Sequence, residues 1–228
     1  MKSQWPDRAD GDASLIQYYS RRAREYEEIW HRADPVRQSE QSAIIGVMRK
    51  LFRGRRVLEV ACGTGYWTAL LADSAAHIVA VDASRDMLEL ARAKRLPRER
   101  VEFQEGDAFG LENVPGPFDG GFANFWLSHV SRTRLSEFLA GFHRQLAAGA
   151  VVFLADNVAV PGVGGEPVAP AGSVDTFKRR TLADGSEHLV LKNYFTEDDL
   201  RRLLAPGGTE LRIHIGRCFW WASYVVGR

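Results

Sequence analysis

The stretch Val57-Leu58-Glu59-Val60-Ala61-Cys62-Gly63-Thr64-Gly65 decides the reading of this chain. Val57, Leu58 and Val60 form an apolar run that ends in a glycine-bearing turn, and a helix-like segment, Tyr66 to Ala75, follows at once. The order is strand, tight turn, helix start. Gly63 and Gly65 can take backbone angles closed to other residues, and they let a ligand approach the main chain. Glu59 places a carboxylate near the strand end. That suits a ligand neutral or cationic at that end, such as an amino-acid moiety, and suits a pyrophosphate poorly.

Outward from this segment, strands and helices alternate. Strand one is Arg56–Ala61, and its helix ends near Ala76. Ile78–Val81 is a second strand stopping at Asp82, and Ser84 is the expected N-cap of a helix Arg85–Leu96 that Pro97 stops. Val101–Gln104 is strand three, Phe118–Ala123 a glycine-weakened strand four, Thr133–Ala147 a helix and Val151–Ala155 strand five. This alternation predicts a parallel α/β sheet with crossover helices. Two helices precede it, Ala13–Trp30 and Ser39–Phe52. Beyond it, Asn157–Ser173 holds Pro161, Pro167 and Pro170 and is expected to form neither strand nor helix. Loops of that length in compact domains are usually functional or disordered. Val174–Thr181 and Glu187–Lys192 flank Ala183-Asp184-Gly185, a hairpin signal. Thr196 caps a helix Glu197–Ala205, and Thr209–Ile215 and Phe219–Val226, joined at Gly216-Arg217, are an antiparallel pair.

Composition bounds the function. A net charge of +1 exerts no global pull on nucleic acid or an anionic membrane. Two cysteines, Cys62 and Cys218, exclude a disulfide framework and point to a reducing compartment. Met1–Asp12 lacks the apolar core of a signal peptide, and no run of 18 apolar residues spans a membrane. The expected location is cytoplasmic. The histidines show no metal-ligand spacing, so no metal site is expected. The basic runs Arg92–Arg100 and Lys178-Arg179-Arg180 read as solvated surface.

Three acids follow successive strands: Glu59, Asp82 and Asp107. In an open parallel sheet, ligands bind outside the carboxyl ends of the strands where the winding order reverses. The three carboxylates therefore line one crevice. A carboxylate at the second strand end suits ribose hydroxyls, and one near Phe109 suits the exocyclic amine of a base.

These residues together resemble the class I S-adenosylmethionine-dependent methyltransferases. Glu59 to Gly65 is similar to their glycine-rich first motif, Asp82 to the acidic second motif, and Gly106-Asp107-Ala108 to the third. Phe118-Asp119 through Asn124-Phe125-Trp126 resembles the fourth strand and the segment beyond it. The pattern is also broken in places. Ala61 stands where the first glycine is common, Leu146-Ala147-Ala148-Gly149 replaces a proline-glycine-glycine turn, and no Asn-Pro-Pro-aromatic segment follows strand four.

The resemblance implies a Rossmann-like doubly wound sheet, mostly parallel with an antiparallel last strand and helices on both faces. It implies a single domain over 1–228: a helical cap (1–53), a cofactor-binding core (54–156), a loop and hairpin insertion (157–195) and a C-terminal helix with the strand pair (196–228). The cofactor is S-adenosyl-L-methionine, leaving as S-adenosyl-L-homocysteine. Its expected contacts are Tyr18, Tyr26, Glu59, Ala61, Gly63, Gly65, Asp82, Ala83, Met87, Gly106, Asp107, Ala108, Phe109, Asn124 and Phe125. The acceptor is expected to meet Tyr19, Trp126, His129, Asn157 and Trp220, with His129 the candidate base because an unperturbed histidine titrates near neutrality. The implied reaction moves a methyl group to an oxygen, nitrogen or carbon of a small, cyclic metabolite. Its partner is that small molecule, with no nucleic acid or membrane, in a monomer or homodimer. Three rival readings are an RNA or protein methyltransferase, a nicotinamide-dependent oxidoreductase and a cofactor-binding protein without turnover. The oxidoreductase reading suffers because Thr68 stands where the last glycine of G-x-G-x-x-G belongs.

Overall fold

The computed structural model describes residues 8–160 and 167–227. Met1–Asp7, from the segment read as lacking a signal peptide, and Pro161 of the expected loop lie outside the described residues. A seven-stranded sheet has the order β3-β2-β1-β4-β5-β10-β9. Its strands are β1 (Arg56–Val60), β2 (His77–Asp82), β3 (Val101–Glu105), β4 (Phe118–Asn124), β5 (Leu146–Asn157), β9 (Gly208–Ile215) and β10 (Phe219–Val226). The first five run parallel, and β10 runs antiparallel to both β5 and β9. This is the parallel α/β arrangement that the alternation predicts, in the doubly wound, mostly parallel form that the resemblance implies.

Two apolar layers sandwich the sheet. Leu58 and Val60 of β1 face one layer with Phe138 and Phe142 of α5 (Leu135–Arg144) and Leu200 of α6 (Glu197–Leu204). Val57 faces the other with Met48 of α2 (Pro35–Leu51), Phe52, Leu71 of α3 (Tyr66–Leu71) and Leu88 of α4 (Arg85–Ala93). Strand period two sends successive side chains to opposite layers, so a strand buried on both sides reads as a continuous apolar run.

The glycines that weaken β4 as a strand have a packing reason. A Cβ on Gly120 would lie 2.9 Å from the Phe52 ring, and one on Gly121 would lie 2.6 Å from the Phe142 ring. Each glycine admits one ring, from opposite faces. Ser84 and Thr196 cap as expected: the Ser84 hydroxyl accepts from the Met87 N–H at 3.3 Å, and Thr196 and Asp199 form a reciprocal capping box.

Four boundaries differ from expectation for identifiable reasons. The expected helix Ala13–Trp30 is α1 (Arg8–Arg22) followed by a 3₁₀ segment, Ala23–His31. Three residues per turn align Ala23, Tyr26 and Ile29, and set Glu27 with Trp30 on another stripe. Tyr26 and Trp30, which α spacing would stack together, thereby separate; Trp30 enters the core against Trp67 and Phe125. Helix α4 ends at Ala93, and Arg95 takes φ +53° ahead of Pro97. β5 begins at Leu146, absorbing the residues read as a turn, with Gly149 at φ +81° and a register shift against β4 between Phe118 and Gly120. Finally, Pro167–Val168 does form a strand, β6, against the expectation for that stretch. It pairs with β7 (Phe177–Thr181), which pairs with β8 (Glu187–Leu191) in a second, three-stranded sheet. Proline is tolerated there because β6 is an edge and Pro167 its first residue.

Gly121→Ala is expected to destabilise the fold by about 1–3 kcal/mol, the usual cost of overpacking. Urea unfolding checks this; an unchanged midpoint would mean the Phe142 ring has room to move.

Candidate active site

The carboxyl ends of β1 and β4 part at the point where the winding order reverses, and a crevice opens there. Two non-glycine residues at these tips, Ala61 (φ +56°) and Phe125 (φ +60°), hold left-handed backbone conformations. Such strain persists where surrounding structure fixes it, and it clusters at functional sites. Ala61 thus performs a turn for which glycine is the unstrained residue, which is why glycine is common there.

The crevice floor comes from the strand ends. Ala61, Gly63, Asp82, Gly106 and Asp107 line it, with Asn124 and Phe125 beyond β4. Ala83, Met87, Ala108 and Phe109 give it an apolar side. Asp82 organises the turn: its carboxylate accepts from the Gly63 N–H at 2.7 Å and from the Ser84 N–H at 2.9 Å. Burial pushes the Asp82 carboxyl up from its ordinary value, against the pull of these N–H donors. Asp107 accepts from the Phe109 N–H at 3.0 Å. The roof is α1 and the 3₁₀ segment, which contribute Leu15, Ile16, Tyr19 and Tyr26. Glu27 pins this roof, accepting from the Thr64 hydroxyl at 2.5 Å and from Lys94 Nζ at 2.6 Å.

A second chamber adjoins the first. Tyr19, Tyr26, Phe125 and His129 line both. At this junction the His129 Nδ1–H donates to the Leu191 carbonyl at 2.7 Å, since that carbonyl can only accept, and Nε2 accepts from the Tyr19 hydroxyl at 2.8 Å. Burial, reinforced by Lys192, holds His129 well below its ordinary value. The ring is neutral, and its lone pair is already engaged. Burial also raises the Tyr19 hydroxyl well above its ordinary value.

The floor of the second chamber rests on a buried ionic cluster. Lys192 Nζ donates to Ser128 Oγ at 2.7 Å and to Asp156 Oδ1 at 3.0 Å, and the Ser128 N–H donates to Asp156 Oδ2 at 2.9 Å. Burial pushes the Asp156 carboxyl up, but Lys192 and the N–H donors of Ser128 and Asn157 outweigh it and hold it below its ordinary value. Asn193 ties the same region to the small sheet: its N–H donates to the Ser128 carbonyl at 2.8 Å and its Nδ2 to Asp175 Oδ1 at 2.9 Å.

Most expected site residues meet in these two spaces. Twelve residues named as cofactor contacts line the first crevice: Tyr26, Ala61, Gly63, Asp82, Ala83, Met87, Gly106, Asp107, Ala108, Phe109, Asn124 and Phe125. Three expectations, for Glu59, Gly65 and Trp220, are corrected, and Tyr18 and Trp126 fall in one space each. Glu59 is 2% exposed, lines neither space and instead accepts from the Thr68 hydroxyl at 2.6 Å. Burial raises its carboxyl to about 8, so it is a neutral acid below that pH. Gly65 is a packing glycine: with φ +72° it caps α3, and a Cβ there would meet Phe103 at 3.0 Å and Ala91 at 3.1 Å. Tyr18 lines the second chamber rather than the first, and its hydroxyl accepts from Arg22 at 3.1 Å. Trp126 lines the first crevice rather than the second. Trp220 is 0% exposed and packs on Phe195, because strand alternation turns it into the core. Asn157 lines the second chamber.

Sequence reading missed the second chamber's charge. Lys178 is 4% exposed rather than solvated, and Arg180 lines the chamber. The signal available was the period-two alternation of β7, which sends Lys178 and Arg180 to one face and the exposed Arg179 to the other.

The residues of the first crevice fit S-adenosylmethionine. Gly63 leaves the turn backbone open, Asp82 and Asp107 offer acceptors for hydroxyl and amine donors, and Ala83, Met87, Ala108 and Phe109 provide apolar surface for a base. Asn124 Oδ1 is buried and lacks a hydrogen-bond partner among the described residues, an acceptor left for a donor such as an ammonium group.

Comparison with known proteins agrees. Residues 57–149 match the family described as Methyltransferase domain. The chain is 42% identical over 81 residues to the demethylmenaquinone methyltransferase of Clavibacter sepedonicus, covering 36% of this chain and 33% of that protein. It is 31% identical over 136 residues to the O-methyltransferase cnsE of Penicillium expansum, covering 55% and 49%. The chain thus spans one third to one half of these curated relatives' length. A solved DhpI–SAH complex superposes with a TM-score of 0.75 at 29% identity, covering 94% of this chain and 96% of that one. The chain is similar to class I S-adenosylmethionine-dependent methyltransferases, over residues 57–149 by the family match and over most of its length by the fold. The family's cofactor is S-adenosylmethionine.

Glu59 generates a pH prediction. The unfolded carboxyl releases its proton near its ordinary 4.5 and the folded one near 8. The folded state binds more protons in between, so this group removes stability as pH rises from about 4.5 to about 8, and the loss is complete above that. Glu59→Gln is expected to abolish this part of the pH dependence in urea unfolding; parallel profiles for variant and wild type would show that Glu59 is ionised in the fold.

Proposed function

We propose that this chain transfers a methyl group from S-adenosylmethionine to an oxygen, nitrogen or carbon of a small-molecule acceptor held in the second chamber. The observation that carries this reading is the shared wall: Tyr19, Tyr26, Phe125 and His129 border both the first crevice and the second chamber. A donor in one and an acceptor in the other would meet there. When bound, S-adenosylmethionine supplies a methyl carbon on a positive sulfur, which departs as a neutral thioether once an acceptor lone pair has taken the methyl.

The chain's own part is alignment and exclusion of water. Alignment of two reactants can supply about 7–11 kcal/mol of a barrier. Asp82 holds ribose hydroxyls with the lone pairs that Gly63 and Ser84 leave free, Asp107 takes a donor of the base, and Asn124 Oδ1 takes the ammonium. His129 fixes the Tyr19 hydroxyl at the junction and touches the acceptor there. A neutral imidazole whose lone pair is engaged contributes position rather than proton abstraction. Asn157, Val158 and Val190 contribute to the chamber wall and serve as part of its cover.

Two variants test the reading. Asp82→Ala is expected to weaken S-adenosylhomocysteine binding by roughly tenfold or more in calorimetry, since buried hydroxyls would lose a charged acceptor. Unchanged affinity would remove Asp82 from the ribose site. His129→Ala is expected to leave that affinity near wild type and to lower methyl transfer to whichever acceptor the wild type uses; full transfer would reduce His129 to packing.

A further inference from the structure

The second chamber is lined by six cationic side chains: Arg22 of α1, Arg32, Arg37 of α2, Lys178 and Arg180 of β7, and Lys192 after β8. Asp34 is the one carboxylate on the same wall among the described residues, and its Oδ1 is already occupied in capping α2 through the N–H groups of Val36 and Arg37. Lys192 is neutralised by Asp156 beneath it. Arg22 and Arg180 have no acidic partner among the described residues. Arg22 donates to the Tyr18 hydroxyl, and its guanidinium lies 5.7 Å from the centre of the Tyr26 ring, beside the junction. Arg180 stands near enough to His129 to disfavour its protonation. Half-buried guanidinium groups converging on one concave space repel each other, and each retains fork-like donors that match an oxyanion. The chain's net charge is only +1, so this concentration of charge is local and not an overall bias. The first crevice is different in kind, with two carboxylates, Asp82 and Asp107, and no cation on its wall among the described residues.

We propose that the methyl acceptor carries an oxyanion group, phosphoryl or carboxylate, which Arg22 and Arg180 hold while the atom to be methylated reaches the junction beside Tyr19 and His129. This deepens the methyltransferase reading and rests on it. It also assigns a role to the segment Lys178-Arg179-Arg180: its alternate residues select the substrate, and Arg179 between them pairs with Glu187 on the outside at 3.3 Å. Neither Arg22 nor Arg180 lines the first crevice, so acceptor binding and cofactor binding are expected to separate on mutation.

The test titrates inorganic phosphate and, separately, acetate into wild type, Arg180→Ala and Arg22→Ala at matched ionic strength, each with and without saturating S-adenosylhomocysteine. Binding is read by calorimetry and by the shift in unfolding midpoint. Wild type is expected to bind at least one anion, tighter phosphate binding marking a phosphoryl acceptor and tighter acetate binding a carboxylate. Each variant is expected to bind that anion about tenfold more weakly or worse, as loss of a charge-assisted hydrogen bond requires, with S-adenosylhomocysteine affinity unchanged. The two variants lie on different elements, so misfolding of one leaves the other as the test. Wild type that binds S-adenosylhomocysteine but neither anion, or variants that bind the anion as wild type does, would overturn the proposal alone. Wild type that fails to bind S-adenosylhomocysteine would overturn the methyltransferase reading instead.

Discussion

The parting of β1 from β4 is the constraint on which the rest depends. Strands β2 and β3 are laid on one side of β1, and β5 follows β4 on the other. The chains leaving β1 and β4 therefore diverge, and a gap opens at the strand tips that neither crossover covers. Left-handed residues Ala61 and Phe125 turn the backbone away on each side of that gap. Asp82 then locks the first turn by accepting from Gly63 and Ser84 together. A backbone opening, a carboxylate already oriented and an apolar flank are the features that an adenosyl group needs, and all three follow from sheet topology.

The second chamber has a different origin. It arises because the small sheet and α1 are docked over the carboxyl end of the large sheet, and that docking runs through the buried Lys192–Asp156–Ser128 cluster and Asn193. A buried ion pair is weak grounds for net stability, and its better-attested use is to fix one arrangement among several. Here it fixes where β8 returns to the core, and with it the carbonyl of Leu191 that sets the His129 tautomer. The chain thus keeps an acidic crevice and a basic chamber side by side, with uncharged Tyr19, Tyr26, Phe125 and His129 between them.

Local pattern revealed the sheet well, because parallel strands buried on both faces announce themselves as apolar runs and the capping residues Ser84 and Thr196 announce helix starts. The crevice was legible for the same reason: Asp82 and Asp107 belong to strand ends whose order in the chain is their order in space. What local pattern could not show is long-range. Glu59 reads as a ligand carboxylate until Thr68 is seen to bond it inside the core, where burial favours its neutral form. His129 reads as a base until Tyr19, far upstream, is seen to occupy its lone pair. Lys178 and Arg180 read as surface because the docking of β7 depends on Asp156 and Asn193, which no nearby residue reveals. Trp220 was within reach, since its neighbour Phe219 faces the opposite layer and both are core.

The most direct measurement is a crystal structure of the protein soaked with S-adenosylhomocysteine. The nucleoside is expected between Asp82 and Asp107, with the sulfur at the wall shared by Tyr19, Phe125 and His129. A nucleoside seated among Arg22, Lys178 and Arg180, or elsewhere on the molecule, would contradict the account.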